Sequence, residues 1–477
     1  MVLPKFDSSV QQIKYNVLKE VARLAFSKEL LNHYDEIPAK LFPGPEAVFR
    51  CCNHKERAIV IERVKLACGG DYRNENIIQV IAPACDECPL GGYVVTGNCR
   101  GCIAHRCQSV CPKGAIHIDP ITHSAQIDKT ACVNCGLCAK ACPYNAIIEY
   151  KRPCEVACKV NAISMDEHGV SKINNDKCIR CGACVTACPF GAIMDKSYIL
   201  DAIEILQKSE NGKNYPVVAV VAPAIATQFK YARLTQVVSG IKALGFSYVV
   251  EAALGADMVA YQEAVELKEK GFLTSSCCPV FVNYIEKYFP KLAGNISHNL
   301  SPQAHIAKYI KERDSKAKVI FIGPCIGKKM ECQKPVERQY TELALTFEEL
   351  LALFGAKEID LATLPDSLLD DASYYGRIFA RAGGLTEAVT QVLKEQKETD
   401  FVFRPIASDG ISNLKPLLTK AQNGNCEFNF IEGMACEGGC IGGPGMISHT
   451  MRDRSEVEKY GKATSKQTIS ENIAEHQ

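Results

Sequence analysis

Twenty-six of the 477 residues are cysteine, and sixteen of those lie between Cys85 and Cys188. That is too many thiols for an ordinary cytosolic enzyme, and the chain is far longer than a secreted scaffold stapled by disulfides, so the thiols point to metal. One phrase occurs four times: a cysteine, three residues, then Ala-Ile, starting at Cys111, Cys142, Cys158 and Cys188. Two complete C-x2-C-x2-C-x3-C-P runs contain it: Cys132, Cys135, Cys138, Cys142 and Cys178, Cys181, Cys184, Cys188. A third run, Cys99, Cys102, Cys107, Cys111, carries a two-residue insertion. In such runs the first three thiolates hold one 4Fe-4S cube and the fourth crosses to the neighbouring cube. The remaining half keeps only its last two ligands, Cys154 and Cys158, and Cys85 and Cys88 supply the missing pair. Lifting out the 65 residues from 89 to 153 rejoins those flanks, and the excised piece is itself a two-cluster ferredoxin. This predicts a ferredoxin inserted in a ferredoxin, with four cubes. Cys99, Cys102, Cys107 and Cys142 hold one; Cys132, Cys135, Cys138 and Cys111 the next; Cys85, Cys88, Cys154 and Cys188 the third; Cys178, Cys181, Cys184 and Cys158 the last. A series of cubes is an electron path, and such a path needs redox chemistry at one end.

Downstream, Cys277 and Cys278 stand in TSSCCPVF, Cys325 in GPCIGKKMEC, and Cys436 and Cys440 in EGMACEGGCIGGPG. Spacing alone implies one more cube, with glycines such as Gly439 and Gly443 letting the backbone pack against something large. These phrases closely resemble the signature segments of the iron-only (FeFe) hydrogenases, in the forms TSCCP, PCxxKxxE and ExMACxGGCxxGG. The resemblance extends to VAPAI at 221–225, LGAD at 254–257, LSPQ at 300–303 and RAGGLTEAV at 381–389, and so spans about residues 215–450.

The resemblance implies an H-cluster. Cys278, Cys325, Cys436 and Cys440 would hold its cube, and Cys440 would bridge to a di-iron subcluster carrying CO, cyanide and an azadithiolate. It makes Lys328 a hydrogen-bond donor to cyanide and Cys277 the thiol that relays protons, a role its near-neutral reference pKa suits. Glu263, Glu266, Ser301 and Glu331 align with outer relay positions, and Ala222, Pro223 and Met434 with residues beside the cofactor. The implied activity is reversible reduction of protons to H2, with electrons exchanged with a soluble carrier, ferredoxin or flavodoxin, and the subcluster built by hydrogenase maturation proteins. Alternatives are a hydrogen-sensing relative of low turnover, a non-catalytic iron-sulfur assembly relative and a plain electron carrier. No PAS-like or kinase-like segment accompanies a sensor, the coexistence of Cys277, Lys328 and Cys440 argues against the assembly role, and a plain carrier leaves the C-terminal domain unexplained. The chain departs from the family at Gly323, where Met is common, at Ala224, where Ser is common, and at Val280-Phe281, where Gly-Trp is usual. Gly323 predicts a looser wall around the di-iron site. The pattern is like one of the less-studied monomeric subgroups, distinct from the prototypical clostridial type.

These residues need an α/β (α+β multidomain) frame. Residues 1–80 read as a helical accessory domain, opened by the amphipathic stretch VQQIKYNVLKEVARLAFSKELL. Residues 81–200 read as the nested ferredoxins, the inserted one at about 95–150. Residues 201–455, where β-rich runs alternate with helical ones, read as the α/β catalytic domain, and 456–477 as a polar tail, an exposed helix or an extended piece. Lys plus Arg, 55, balances Asp plus Glu, 54, which excludes a basic nucleic-acid-binding arm. No apolar run is long enough to span a membrane and the N-terminus has no leader pattern, so the expected location is cytoplasmic. Cys51, Cys52 and Cys68 are expected as buried thiols without a role, Cys332 and Cys426 are unassigned, and Lys329 is expected at the surface.

Overall fold

The structure, a computed structural model, describes residues 4–89, 91–397 and 401–476. The first three residues of the N-terminal reading and the last of the polar tail lie outside the described residues. The ferredoxin repeat has a local cause. In each C-x3-A-I phrase the alanine N–H donates to the cysteine Sγ four residues earlier, at 3.3 Å for Ala115 on Cys111, 3.4 Å for Ala146 on Cys142, and 3.2 Å for Ala162 on Cys158 and Ala192 on Cys188. The nesting is visible in the strand pairing. Gly92–Val95 pairs antiparallel with Ile147–Tyr150, and outside that unit Ile78–Val80 pairs antiparallel with Ile193–Asp195. The two units are also matched at their first cysteines: Ala125 N–H donates to Cys99 Sγ and Ser171 N–H to Cys85 Sγ, both at 3.4 Å.

The C-terminal half holds two parallel sheets. Strands β1 (Val217–Val221), β2 (Tyr248–Glu251), β4 (Lys318–Gly323) and β5 (Leu343–Thr346) lie in the order β2-β1-β4-β5. Strands β3 (Leu273–Thr274), β6 (Pro405–Asp409) and β7 (Phe430–Met434) lie in the order β3-β7-β6. The continuous apolar run of β1 is buried at every position, as a parallel strand covered on both faces requires.

Helix α1 (Ser9–Phe26) begins where the Ser8 hydroxyl accepts from Gln11 N–H. Its buried stripe, including Tyr15, Leu18 and Val21, joins the same core as α7 (Phe347–Ala356) of the α/β layer. The approach depends on Gly355, where a Cβ would lie 2.4 Å from the Tyr15 hydroxyl. Helix α2 (Asn53–Ala67) completes the N-terminal region. A buried ionic network ties the parts together. Lys14 of α1 pairs with Asp195 at 2.7 Å and Glu348 at 2.6 Å, while Lys329 pairs with Asp195 at 2.7 Å and Glu349 at 2.8 Å. Lys329 is therefore not a surface residue: it is 1% exposed, because its helix runs along the seam between the ferredoxin region and α7.

Two further expectations change. The polar C-terminal stretch forms helices at Asp453–Lys462 and Ile469–His476 that bury Val457, Ile469 and Asn472, and Asn472 Nδ2 donates to Asp257 at 2.8 Å. A few apolar and amide groups at helical spacing suffice to dock an otherwise polar segment. Cys51 and Cys52 are exposed and Cys68 half-buried, since the first two lie in a surface turn ahead of α2. Among the described residues no helix is long and apolar enough to cross a membrane.

Candidate functional site

The signature segments leave the carboxyl ends of strands. β1 runs into Ala222 and Pro223, β4 into Pro324 and Cys325, β3 toward Cys277 and Cys278, and β7 through Met434 toward Cys436. β1 and β4 are neighbours whose chains continue to opposite edges of their sheet, the switch point at which parallel sheets open a crevice for ligands. Cys278 and Cys325 then stand at the N-caps of α4 (Pro279–Tyr288) and α6 (Ile326–Glu331), where the helix dipole favours an anionic thiolate.

Cys278, Cys325, Cys436 and Cys440 converge. Burial and the adjoining thiols push Cys325 and Cys440 up to about 12 and Cys436 well above the usual thiol range. All are free thiols, and among the described residues no three His, Cys, Asp or Glu side chains are arranged to hold a single metal ion. Four crowded thiols without a disulfide fit a multi-iron group that takes one ligand from each. The glycines of the last segment pack against backbone. Gly439, at φ +91°, leaves no room for a Cβ, which would lie 2.6 Å from Ala382 N, and a Cβ on Gly443 would lie 2.5 Å from the Pro324 carbonyl.

Beside this group is a cavity of about 70 Å³ walled by small residues, Ala222, Ala224, Ala252 and Ala256 among them, which Cys277, Lys328, Met434 and Cys440 also line. Pro223 is part of the same wall. Its room, its alanine lining and the Lys328 ammonium and Cys277 thiol at its edge suit a compact group with anionic ligands joined to Cys440. Lys328 Nζ donates to Ser301 Oγ at 2.8 Å and to Glu331 Oε2 at 2.7 Å. Burial opposes its charge, but the Glu331 carboxylate outweighs that and holds its pKa above the ordinary lysine value. Gln303 Nε2 also donates to Glu331 Oε2, at 2.9 Å. Ser301 and Glu331 thus position Lys328. The wall at Gly323 is not loose: the Phe321 ring lies 2.6 Å from where a Cβ on Gly323 would sit, and so fills that space. Val280 and Phe281 likewise pack over glycines, a Cβ on Gly327 meeting Val280 at 2.5 Å and one on Gly433 meeting the Phe281 ring at 2.3 Å.

From Cys277 a second polar line runs outward. Burial, then the adjacent Glu263 and Cys278, holds the Cys277 thiol well above its usual pKa. Glu263, on α3 (Ala252–Lys270), is 0% exposed. Its Oε1 accepts from Ser276 N–H at 3.2 Å and Ser276 Oγ at 3.3 Å, and its Oε2 has no hydrogen-bond partner. Burial, reinforced by Glu266 and opposed by Ser276 and Ser297, pushes the Glu263 carboxyl up to about 8. Ser297 lies close to Glu263 and donates to Glu266 Oε2 at 3.0 Å. Burial would raise Glu266, but Lys270 at 2.7 Å and the His298 N–H hold it below the usual carboxylate value at the half-buried outer end. Ser297, absent from the sequence-based set, lies between Glu263 and Glu266, while Ser301 turns to Lys328. The signal for Ser297 was its place in the turn that pairs with Thr274, which no motif marks.

Among the ferredoxin thiols, several lie within one another's electrostatic reach, and Cys184 also feels Cys154 of the neighbouring set. Cys88 faces Cys85, Cys154 and Cys188; Cys181 and Cys184 face Cys178 and Cys158; Cys107 faces Cys102 and Cys142; Cys138 faces Cys132 and Cys135. The loop of Cys181 lies beside that of Cys436, the two thiols lining one pocket. A Cβ on Gly182 would lie 2.6 Å from Pro444 and 2.9 Å from Ile326, so the two ligand loops interlock.

The family profile described as "Iron only hydrogenase large subunit, C-terminal domain" matches residues 215–444, the "4Fe-4S dicluster domain" 98–146 and the "4Fe-4S binding domain" 171–194. The chain is 28% identical over 397 residues to iron hydrogenase 1 of Clostridium pasteurianum, covering 72% of this chain and 68% of that protein. It is 29% identical over 381 residues to the periplasmic Fe hydrogenase large subunit of Nitratidesulfovibrio vulgaris, covering 68% of this chain and 86% of that one. Over a shorter stretch of 244 residues it is 22% identical to cytosolic iron-sulfur assembly component 3 of Mus musculus, covering 41% and 51%. A solved structure of the FeFe-hydrogenase HydA1 from Chlamydomonas reinhardtii matches 58% of this chain and 93% of that chain at 22% identity, with a TM-score of 0.48. With the signature segments gathered around one cavity and these profiles matching in series, the chain is an FeFe-hydrogenase-like protein, ferredoxin-type 4Fe-4S domains followed by the C-terminal domain of an iron-only hydrogenase large subunit.

Proposed function

We propose that this chain catalyses the reversible reduction of protons to H2 at an H-cluster and exchanges electrons through four further 4Fe-4S cubes with a soluble carrier. The observation that carries this reading is that Cys277, Lys328, Met434 and Cys440 line one small cavity. When bound, the di-iron subcluster would supply the metal centre at which two protons and two electrons combine, with hydrogenase maturation proteins needed to build it. The residues do the rest. Cys278, Cys325, Cys436 and Cys440 would hold the adjoining cube, Cys440 would reach the subcluster, and Lys328, oriented by Ser301 and Glu331, would donate a charge-assisted hydrogen bond to one of its anionic ligands. Cys277 would give and take the proton at its Sγ, Glu263 would hold it on Oε2, and Ser297 would pass it to Glu266 and the surface.

Electrons would enter or leave at the cube of Cys111, Cys132, Cys135 and Cys138. Cys135 is the one exposed thiol among the twenty proposed ligands, and Val133 and Leu137 beside it are 57% and 43% exposed. A carrier such as ferredoxin or flavodoxin would dock there. A cytoplasmic location belongs to the same reading. The test is infrared spectroscopy on anaerobically purified, artificially matured protein. Iron-bound CO and cyanide bands that shift under hydrogen are expected. Their absence at full cube occupancy would replace this reading with an electron-transfer or assembly role.

A further inference from the structure

Four arginines are almost completely buried among the described residues, and two of them lack a carboxylate partner; Arg381 pairs with Glu387 and Glu458. Arg377 pairs with Glu251 and Asp370, each at 2.8 Å. Arg63, 2% exposed on α2, and Arg152, 1% exposed and two residues ahead of Cys154, have guanidinium groups with no ion-pair partner among the described residues, Glu155 accepting only from the Arg152 backbone N–H at 3.3 Å. Both guanidinium groups turn to the same thiol set. Arg152 Nη1 donates to Cys85 Sγ at 3.6 Å, Nη2 to the Cys88 carbonyl at 3.1 Å, and Nε to the Pro89 carbonyl at 3.4 Å. Arg63 Nη2 donates to the Gly191 carbonyl at 2.9 Å, its Nε has no partner, and Cys188 is the anion-forming group in its field. The place for Arg63 is built: Gly191 has φ +58°, and a Cβ there would lie 2.3 Å from Nη2. The Ser171 hydroxyl adds contacts to Cys85 at 3.4 Å and Cys154 at 3.6 Å.

Two buried, unpaired cations are costly unless an anion lies between them. A cube held by four thiolates is such an anion, and each reduction adds one electron and one negative charge without making or breaking a bond. The other outer sets have weaker surroundings. Arg100, Arg106, Lys113 and Lys140 around the inserted ferredoxin are exposed, as is Lys287 beside Cys178, and exposed charges are screened; the set of Cys178 and Cys181 has one half-buried cation, Arg180, whose Nε is unpartnered, against two fully buried ones at the Cys85 set. We infer that Arg63 and Arg152 pair with the cube of Cys85, Cys88, Cys154 and Cys188 and make it the most easily reduced of the four ferredoxin cubes, the station where electrons collect between the inserted ferredoxin and the catalytic domain. The N-terminal helices then have a redox role, because α2 carries one of the two cations.

This rests on the reading that those four thiols hold a cube. Iron content and the paramagnetic signals of the reduced full-length protein test that reading, while midpoint potentials test the inference. The experiment is an EPR-monitored titration with dithionite of the anaerobically purified chain and of Arg63→Gln, Arg152→Gln, the double variant and the two Arg→Lys counterparts. The expected result is that the component reduced first in the wild type moves to a more negative potential in each Gln variant and further in the double. The other components stay in place, and the Lys variants recover part of the shift. An unmoved first component at full iron content in both Gln variants would overturn the inference. Loss of that cluster's iron from the Gln and Lys variants alike would also overturn it, since the arginines would then be scaffold.

Discussion

Replacing Glu263 with Gln should separate the proton-handling role of this side chain from its packing role, because the two have opposite signs. The carboxyl is 0% exposed and its pKa is raised from 4.5 to about 8. A raised carboxyl pKa means that the folded chain keeps a proton that the unfolded chain has already released. The stability it contributes is complete below the unfolded value and declines as pH rises toward the folded one. At about 1.4 kcal/mol per pH unit, the loss reaches roughly 4 to 5 kcal/mol by pH 8. Glutamine has the shape of the protonated acid and never ionises, so Glu263→Gln abolishes this decline. Its amide would face the position where Oε2 has no partner, a cost of about 1 to 3 kcal/mol at every pH. The variant should therefore be slightly less stable than wild type near pH 5 and more stable, by roughly 1 to 4 kcal/mol, at pH 8. The assay is denaturant unfolding of both anaerobic proteins at several pH values, compared as the difference between them so that the many other titrating thiols cancel. Hydrogen turnover in the variant should fall by about 10²- to 10⁴-fold, the usual worth of a positioned acid–base group, while the CO and cyanide bands persist. Parallel stability curves for the two proteins, or turnover within tenfold of wild type, would refute the reasoning.

Ser297→Ala should lower turnover by more than about tenfold, whereas Ser301→Ala should instead shift the cyanide bands by loosening Lys328; equal effects from the two would show that the link between Glu263 and Glu266 is misplaced. Lys329→Met leaves Glu349 to the Ser197 and Thr346 hydroxyls and should destabilise the chain by about 3 to 5 kcal/mol, read as a lower denaturant midpoint at pH 7. An unchanged midpoint would mean that the buried network does not join the domains. Gly323→Met should cost about 1 to 3 kcal/mol by overpacking against the Phe321 ring, and Phe321→Ala about 3 to 5 kcal/mol by opening the cavity. The double variant should cost clearly less than the sum, and strict additivity would show that the two positions do not share one space.

The cysteine spacing was legible in the sequence because its rule runs over a few residues, and the Ala-Ile that follows Cys111, Cys142, Cys158 and Cys188 records the N–H···S bond each of them accepts. The same locality made the nesting readable, since Cys85 and Cys154 rejoin only when the inserted unit is removed. What escaped was set by packing between distant segments. Ser297 and Ser301 are four residues apart and equally plausible in a motif. Yet Ser301 opens the helix Pro302–Arg313 and turns to Lys328, while Ser297 sits in the preceding turn, against α3. Lys328 and Lys329 differ only by the rotation of about 100° between neighbours on a helix, which aims one at the cavity and the other into the seam. Gly323 looked like a loss of bulk because a motif records its own positions; Phe321, two residues earlier on the same face of β4, returns that bulk from outside the motif. The amphipathic stripe of α1 announced a buried face without saying what would cover it. That the cover is α7 of the α/β layer, with Lys14 bridging Glu348 and Asp195, makes the ferredoxin region, the N-terminal helices and the catalytic domain electrostatically dependent on one another. A substitution in any of them should be felt at the others.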